Sequence, residues 1–310
     1  MQIRKKHIPI FTAVSDDTLP YLAPTLRSIS DFANGESVYD VRVITASLAP
    51  YNYRRLRHFD LPGLDVSIVD ISDNIEEYHA DFGVRLTDLY CEESFYPFFL
   101  APMYQRITKA LFVECGTVFK TDPDKILCED IGESLIGGFL YRDDCIDFCR
   151  YVEKWVGVCS DSYVDPALMI MNFSALRKHR AEEKFTRIIT GYNFDSANPA
   201  ADYLNFLCKG AVRILDKDLD GEREKPALIF KPYRKPWFFV NGEESELFWD
   251  LARKTPFYED IRDAYLGFNE TQKQRIFDTV AEREAHIRAL ADSTRGFYAT
   301  LGDNYILTKK

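Results

Sequence analysis

Apolar runs alternate with amphipathic stretches through the first hundred residues. Runs that contain β-branched residues predict strands at 7–14, 41–46 and 64–71. Between them, apolar residues at helical spacing predict one helix that ends near Phe32 and a second at Tyr53–Phe59. Because strands that alternate with helices are typical of βαβ units, the pattern predicts a parallel sheet.

A fourth apolar run, Ala110–Val113, predicts a buried strand that ends at Glu114. Beyond Asp130, further strands are predicted at 134–141, 167–171, 211–215 and 227–230, and helices at 147–156, 182–189, 202–208 and 244–253. Asn269 and Gln272 form a capping-box pattern that opens a long helix. We therefore expect an α/β domain at 1–265 and a helical C-terminal extension at 266–310.

Composition and charge narrow the class of protein. The 310 residues are 46% hydrophobic, which suffices for a sizeable core, and the net charge of -10 argues against a nucleic-acid partner. The seven cysteines form no C-x-x-C motif, which favours reduced thiols in the cytoplasm. No apolar run has the length of a signal peptide's core or of a membrane span. We expect a cytoplasmic protein that does not cross a membrane.

Acidic residues follow two of the predicted strands. Asp16 and Asp17 come after the first strand, and Glu114 comes after the fourth. Ligands of open α/β sheets bind beyond the carboxyl ends of strands, where carboxylates can hold Mg²⁺ or Mn²⁺. The alternative is that Asp16 and Asp17 only cap the following helix. Glu114 alone would supply only one side-chain ligand to a metal ion.

A basic segment, KPYRKPW at 231–237, stands out in this acidic chain. Lys231, Arg234 and Lys235 lie beside rigid prolines and could clamp a diphosphate. The alternative is a solvated turn that Trp237 anchors in the core. A calcium loop beginning at Asp216 is discounted, because its twelfth position is Ala227 instead of a glutamate.

Several segments together resemble a bacterial glycosyltransferase of family 8, whose members include glycogenin and lipopolysaccharide galactosyltransferases. They are IPIFTAVSDDTLPYLAPTLRSI, SFYPFFLAPMYQRITKALFVECGTVFKTDPDKIL, DPALMIMNFSALRKH, ADYLNFLCKG, KPALIFKPYRKPW and ELFWDLARKTPFYEDI, within residues 8 to 262. The resemblance implies a GT-A fold, that is, a mixed, mostly parallel sheet flanked by helices. It also implies a nucleotide-diphosphate-sugar donor, usually a UDP-sugar, a Mn²⁺ ion, and transfer with retention at the anomeric carbon.

The chain departs from the family at its metal ligands. Glu114, Cys115 and Gly116 stand where the family has Asp-x-Asp, and the family's metal-binding histidine falls at Ile229 or Phe230. Glu114 therefore remains as the one expected ligand for Mn²⁺ or Mg²⁺. We expect the donor site to be built from a set of ten residues: Ala13, Ser15, Asp16, Asp17, Glu114, Cys115, Thr117, Lys231, Arg234 and Lys235. Of these, the resemblance itself carries over Asp16, near the nucleoside, together with Glu114, Thr117 and Lys235, which matches the family's diphosphate-contacting lysine.

The acceptor-side motif Asp-Gln-Asp reads Ala200, Ala201, Asp202 here, and by the resemblance Asp202 is the candidate catalytic residue. Three interpretations follow. The first is a hexosyltransferase that acts on a polysaccharide or glycolipid, with lipid-linked acceptors met at the inner membrane surface. The second is an inactive relative that binds a nucleotide sugar or a protein partner, and the third is another nucleotide-handling enzyme. The helical extension is expected to pack on the domain or on a second subunit.

Overall fold

The computed structural model describes residues 5–78, 89–192, 194–215, 226–240 and 242–309. The discounted calcium loop lies outside the described residues except at its last two positions, Pro226 and Ala227. The strands are Lys6–Ala13 (β1), Ser37–Thr45 (β2), Leu64–Asp70 (β3), Ala110–Val113 (β4), Val118–Phe119 (β5), Ile136–Leu140 (β6), Val164–Met171 (β7), Val212–Ile214 (β8) and Ala227–Leu228 (β9). Contacts group the described residues into two units.

The helices are Leu19–Phe32 (α1), Pro50–Arg57 (α2), Ser72–Ile75 (α3), Pro97–Met103 (α4), Pro123–Leu127 (α5), Phe148–Tyr151 (α6), Phe173–Lys178 (α7), Ala181–Gly191 (α8), Pro199–Leu207 (α9), Gly242–Ala252 (α10), Tyr258–Gly267 (α11), Glu270–Ala291 (α12) and Phe297–Leu301 (α13). Within the described ranges, no helix is both long and apolar enough to span a membrane. Unit 1 takes the described parts of Met1–Ile75, Ala110–Glu129 and Arg223–Gln274, and unit 2 takes those of Glu76–Lys109, Asp130–Glu222 and Arg275–Lys310.

Seven strands form a sheet in the order β3-β2-β1-β4-β7-β6-β8, and β5 and β9 form a separate antiparallel pair. The pairs β1–β2, β2–β3, β1–β4 and β6–β8 are parallel, whereas β6–β7 is antiparallel. The predicted mixed, mostly parallel sheet flanked by helices is therefore confirmed. The domain boundary at 265/266 stays a prediction.

In unit 1, the apolar strands β1 and β4 pack side by side, so that their carboxyl ends lie at the same edge of the sheet. Ile10 of β1 lies opposite Leu111 of β4, and both side chains are buried. All four residues of β4 are buried, as the continuous apolar run predicted. Because β1 and β4 are parallel neighbours, the segments after Ala13 and after Val113 leave the sheet at the same edge.

Unit 2 has a core rich in stacked aromatic rings. Phe98 stacks on Phe185 with centroids 3.9 Å apart, and Phe194 stacks on Phe297 with centroids 4.1 Å apart. Phe297 belongs to the predicted helical extension, so that extension contributes a buried ring to unit 2. Such ring pairs add to the stabilisation that burial of their apolar area provides.

Local sequence signals explain several helix boundaries. The predicted capping box is present, because the backbone amide of Gln272 donates to Oδ1 of Asn269 at 3.0 Å and that of Asn269 donates to Oε1 of Gln272 at 2.9 Å. The predicted helix at 147–156 continues after α6 as a π-helix, Val152–Val156. The last predicted strand is shorter than expected, since β9 ends at Leu228. Its partner β5 was not predicted, because two residues carry no periodicity.

Candidate functional site

The loop after β4 is a tight turn. The backbone amide of Thr117 donates to the carbonyl of Glu114 at 3.2 Å, and that of Gly116 donates to Oγ1 of Thr25 at 3.0 Å. Gly116 has φ +86°, and a Cβ there would lie 2.5 Å from Cζ3 of Trp237. Only glycine adopts this conformation at little cost and admits the indole so closely. The turn therefore fixes Glu114 relative to Trp237.

The KPYRKPW segment is held by hydrogen bonds and by ring stacking. The backbone amide of Arg234 donates to the carbonyl of Lys231 at 2.9 Å, closing the 3-10 turn Pro232–Arg234. Trp237 stacks on Tyr21 of α1, with centroids 4.0 Å apart and planes 9° apart. Burial, with lesser contributions from Cys115 and Asp17, raises the pKa of Tyr21 to about 12. Trp237 is thus a core anchor, as the alternative interpretation of the KPYRKPW segment predicted.

Lys235 and Glu114 form an ion pair between these two fixed segments. Nζ of Lys235 lies 2.7 Å from Oε1 of Glu114, and it lies 5.5 Å from the ring centroid of Trp237. The lysine side chain is 12% exposed and the glutamate side chain 44% exposed. The structure therefore joins the two motifs that the sequence singled out separately. The pair therefore has a mostly covered cationic member and a more accessible anionic member.

A divalent cation does not fit the side chains around Glu114. Mg²⁺ and Mn²⁺ prefer oxygen ligands, but Cys115 offers a buried thiol and Gly116 offers no side chain. The same carboxylate already binds the ammonium group of Lys235. At close range, the positive charge of that ammonium group would repel a dication by roughly several kcal/mol. Across the described residues, no cluster of three or more His, Cys, Asp and Glu side chains could hold a metal ion.

Asp16 has a capping role. Its carboxylate accepts from the backbone amide of Ala49 at 3.0 Å and from Nδ2 of Asn52 at 2.8 Å. It therefore caps the start of α2 instead of the next helix, α1. Asp17 is exposed beside it. The alternative that Asp16 only caps the following helix, α1, is therefore not what the structure shows, and its predicted place near a nucleoside stays a prediction.

The other predicted donor residues are also in unit 1. Ala13, Cys115 and Thr117 are buried, Ser15 and Lys231 are half-buried, and Arg234 is exposed. The backbone amide of Ser15 donates to Oγ1 of Thr18 at 2.9 Å. Among the ten predicted donor residues, Glu114 and Lys235 contact each other directly.

Asp202 lies in unit 2, where its side chain is fully buried. Tyr163 donates its hydroxyl to Oδ1 at 2.6 Å, Tyr151 and Ser196 donate theirs to Oδ2, and the Asn198 amide donates to Oδ2 at 3.3 Å. Burial raises the pKa of Asp202 to about 6, although these four donors oppose the shift. The carboxylate therefore holds together the loop that leads into α9. Its catalytic role stays a prediction.

The hydrogen-bond donors around Asp202 were not predicted from the sequence. Tyr151 and Tyr163 come from α6 and from the residue before β7, and burial raises the pKa of both phenols well above its usual range. Each hydroxyl is thus a dependable proton donor to the carboxylate. A tyrosine in an apolar stretch gives no signal of such a role, because the same pattern describes an ordinary core residue.

A second missed contact is in unit 1, where Arg55 of α2 reaches α11. Nη1 of Arg55 donates to Oδ1 of Asp260 at 3.1 Å, and Nη2 donates to the carbonyl of Pro256 at 3.0 Å. The guanidinium carbon lies 4.1 Å from the ring centroid of Phe257. Arginine's planar fork suits such a combined contact, which lysine would not reproduce. Three residues of the TPFYED stretch, Pro256, Phe257 and Asp260, therefore contact Arg55.

Comparison with known proteins yields matches among solved structures only. No protein-family model and no curated protein matches the chain. The bifunctional glycosyltransferase WbbM aligns over 86% of this chain and 53% of its own, with a TM-score of 0.69 and 16% identity. The chain thus spans about half the length of WbbM.

Two further structures agree. The galactosyltransferase LgtC, solved with donor and acceptor sugar analogues, aligns over 80% of this chain and 96% of its own, with a TM-score of 0.60 and 16% identity. The glycosyltransferase GlyE of Streptococcus pneumoniae TIGR4 aligns over 85% and 64%, with a TM-score of 0.57 and 13% identity. At such identities the likeness establishes architecture. The chain has the GT-A-like fold of these glycosyltransferases.

Proposed function

We propose that this protein is a divergent family 8 glycosyltransferase. It transfers a hexose from a nucleotide-diphosphate sugar, a UDP-sugar in the first instance, to a hydroxyl of a polysaccharide or glycolipid. The bond from the anomeric carbon to the diphosphate breaks, and a glycosidic bond of the same configuration forms. The acceptor hydroxyl gives its proton to the departing diphosphate, which leaves as the nucleoside diphosphate.

The Lys235–Glu114 pair is the observation that carries this proposal. It lies directly beyond the carboxyl end of β4, where ligands of α/β sheets bind. A departing nucleoside diphosphate develops negative charge, and a positioned ammonium group stabilises that charge. The rigid surroundings of Lys235 hold the ammonium group in place before the reaction, which is the condition for such stabilisation.

The second candidate is an inactive relative that binds a nucleotide sugar or a protein partner. The complete burial of Asp202 favours it, since this candidate catalytic carboxylate has no exposed surface in the structure. Under this alternative the donor side binds nucleotides and the acceptor side has lost its chemistry.

The test is to incubate the full chain with UDP-glucose, UDP-galactose and GDP-mannose, with and without oligosaccharide acceptors, and to measure released nucleoside diphosphate. We expect release from at least one donor, and a drop of about a hundredfold in kcat/KM for Lys235→Ala. Lys254→Ala removes an exposed lysine of the same unit and serves as the control. Nucleotide binding without release under any condition would favour the inactive relative.

A further inference from the structure

The ion pair at the candidate donor site has one fixed and one adjustable member. Lys235 sits between the 3-10 turn Pro232–Arg234 and the buried ring of Trp237, and its side chain is 12% exposed. Glu114 is 44% exposed at the surface of the turn after β4. Glutamate can therefore rotate away into solvent, whereas the ammonium group stays in place.

The GT-A-like fold leads one to expect a divalent cation at this position, and the side chains here do not fit one. Glu114 is a single carboxylate whose Oε1 lies 2.7 Å from Nζ of Lys235. A cation bound to Glu114 would have to displace Lys235 or lie against its positive charge. The site is arranged for an anion instead, because an ammonium group that gives up one oxygen anion can take another.

We propose that this site binds the diphosphate of its nucleotide through Lys235 without a divalent cation, and that Glu114 is an internal counter-anion which the diphosphate displaces. The proposal rests on the proposed function in that the ligand is a nucleoside diphosphate. Before the nucleotide binds, Glu114 neutralises a largely covered cation. On binding, a phosphate oxygen replaces the carboxylate oxygen, and Glu114 turns toward water.

This arrangement reverses the expected effect of neutralising Glu114. In a metal site, the loss of a carboxylate ligand weakens nucleotide binding. If Glu114 competes with the diphosphate, Glu114→Gln keeps the side-chain volume, removes the competing charge and strengthens binding. The sign of the effect therefore separates the two roles.

The experiment is calorimetric titration of UDP into the full chain, once with EDTA and once with Mn²⁺. We expect equal Kd values in the two buffers for the native protein. Glu114→Gln should bind UDP about tenfold more tightly in EDTA, and Lys235→Ala at least tenfold more weakly. In the Lys235→Ala background, Glu114→Gln should change the affinity much less, because the competition needs the ammonium group.

A matched control separates this local effect from the change in net charge. Asp250→Asn removes one negative charge from an exposed side chain of the same unit, which pairs with Arg253, and should leave UDP affinity unchanged. Titration with UMP tests whether Lys235 contacts the second phosphate of the nucleotide. The preference for UDP over UMP should shrink in Lys235→Ala.

The outcomes distinguish this inference from the proposed function. Binding that requires Mn²⁺ and weakens in Glu114→Gln overturns the inference and leaves a metal-dependent glycosyltransferase. If UDP, ADP, GDP and dTDP all fail to bind in both buffers, the proposed function and the inference fail together. Tighter binding of Asp250→Asn, equal to that of Glu114→Gln, would overturn the local role of Glu114.

Discussion

Two carboxylates of this protein have opposite surroundings. Glu114 of unit 1 is partly exposed and faces one cation, Lys235. Asp202 of unit 2 is fully buried, and it accepts hydrogen bonds from four neutral donors. An exposed carboxylate with one charged partner can exchange it for another ion at little cost, whereas a buried one with four donors cannot move without leaving those donors unsatisfied.

The difference separates a residue suited to binding from one suited to holding structure. Both were singled out from the sequence as parts of a site, and residue type alone did not distinguish them. What distinguishes them is the number of donors and the access of water. Three measurements test this contrast, beginning with the one that should change stability most.

The largest effect should come from removing the Asp202 carboxylate. We expect Asp202→Ala to lower the free energy of unfolding by about 4 kcal/mol, because its donors lose their acceptor and a small cavity remains. Glu114→Ala should cost about 1 kcal/mol at most, because the glutamate side chain is 44% exposed. Urea denaturation at pH 7.5 measures both. Equal losses would mean that the two carboxylates do not differ as described.

A pH series should show the burial of Asp202. Its folded pKa is raised from 3.8 to about 6, so the native state holds a proton that the unfolded chain releases earlier. The resulting stabilisation is fully present below pH 3.8 and is lost as the pH rises to about 6. Over that window the native protein should lose about 3 kcal/mol relative to Asp202→Asn.

Urea denaturation of both proteins at intervals from pH 4 to pH 7.5 measures that difference. The Asp202→Asn variant serves as the baseline, since it cannot titrate at this position. A constant difference across the series would contradict the raised pKa. A difference that grew in the opposite direction would show that the four donors outweigh burial.

A smaller effect is expected where unit 1 fixes the ion pair. Gly116→Ala must accommodate φ +86° and a Cβ 2.5 Å from Trp237, so we expect a loss of about 2 kcal/mol and weaker UDP binding. Gly35→Ala is the matched control, because Gly35 has φ +76° but nothing within 4 Å of its Cβ. It should lose about 1 kcal/mol and keep UDP affinity. Equal behaviour would leave Trp237 without a positioning role.

The fold could largely be predicted from the sequence, since its strands are long enough to carry a pattern. β1, β3 and β4 occur within one residue of the predicted bounds, because a buried apolar run closed by polar residues admits few alternatives. Periodicity fails for β5, which has two residues and depends on pairing with β9. It also cannot anticipate the π-helix Val152–Val156, whose backbone carries one extra residue per turn.

The candidate site was less predictable, because its geometry depends on residues far apart in sequence. Glu114 and Lys235 were both named, yet 121 positions separate them, and their pairing follows from the packing of Trp237. Asp202 was named through its motif alone, and its burial depends on Tyr151 and Tyr163. A single sequence records residue types, whereas these contacts depend on the completed fold.

The contact between Arg55 and Asp260 has a consequence for how the chain is made. The two residues are 205 positions apart, and unit 1 is assembled from three separate segments. During synthesis, Tyr21 and Arg55 can therefore make their contacts with Trp237 and Asp260 only after the last segment has been made. Incomplete chains would expose apolar surface that normally lies under this segment, which makes them natural clients of chaperones.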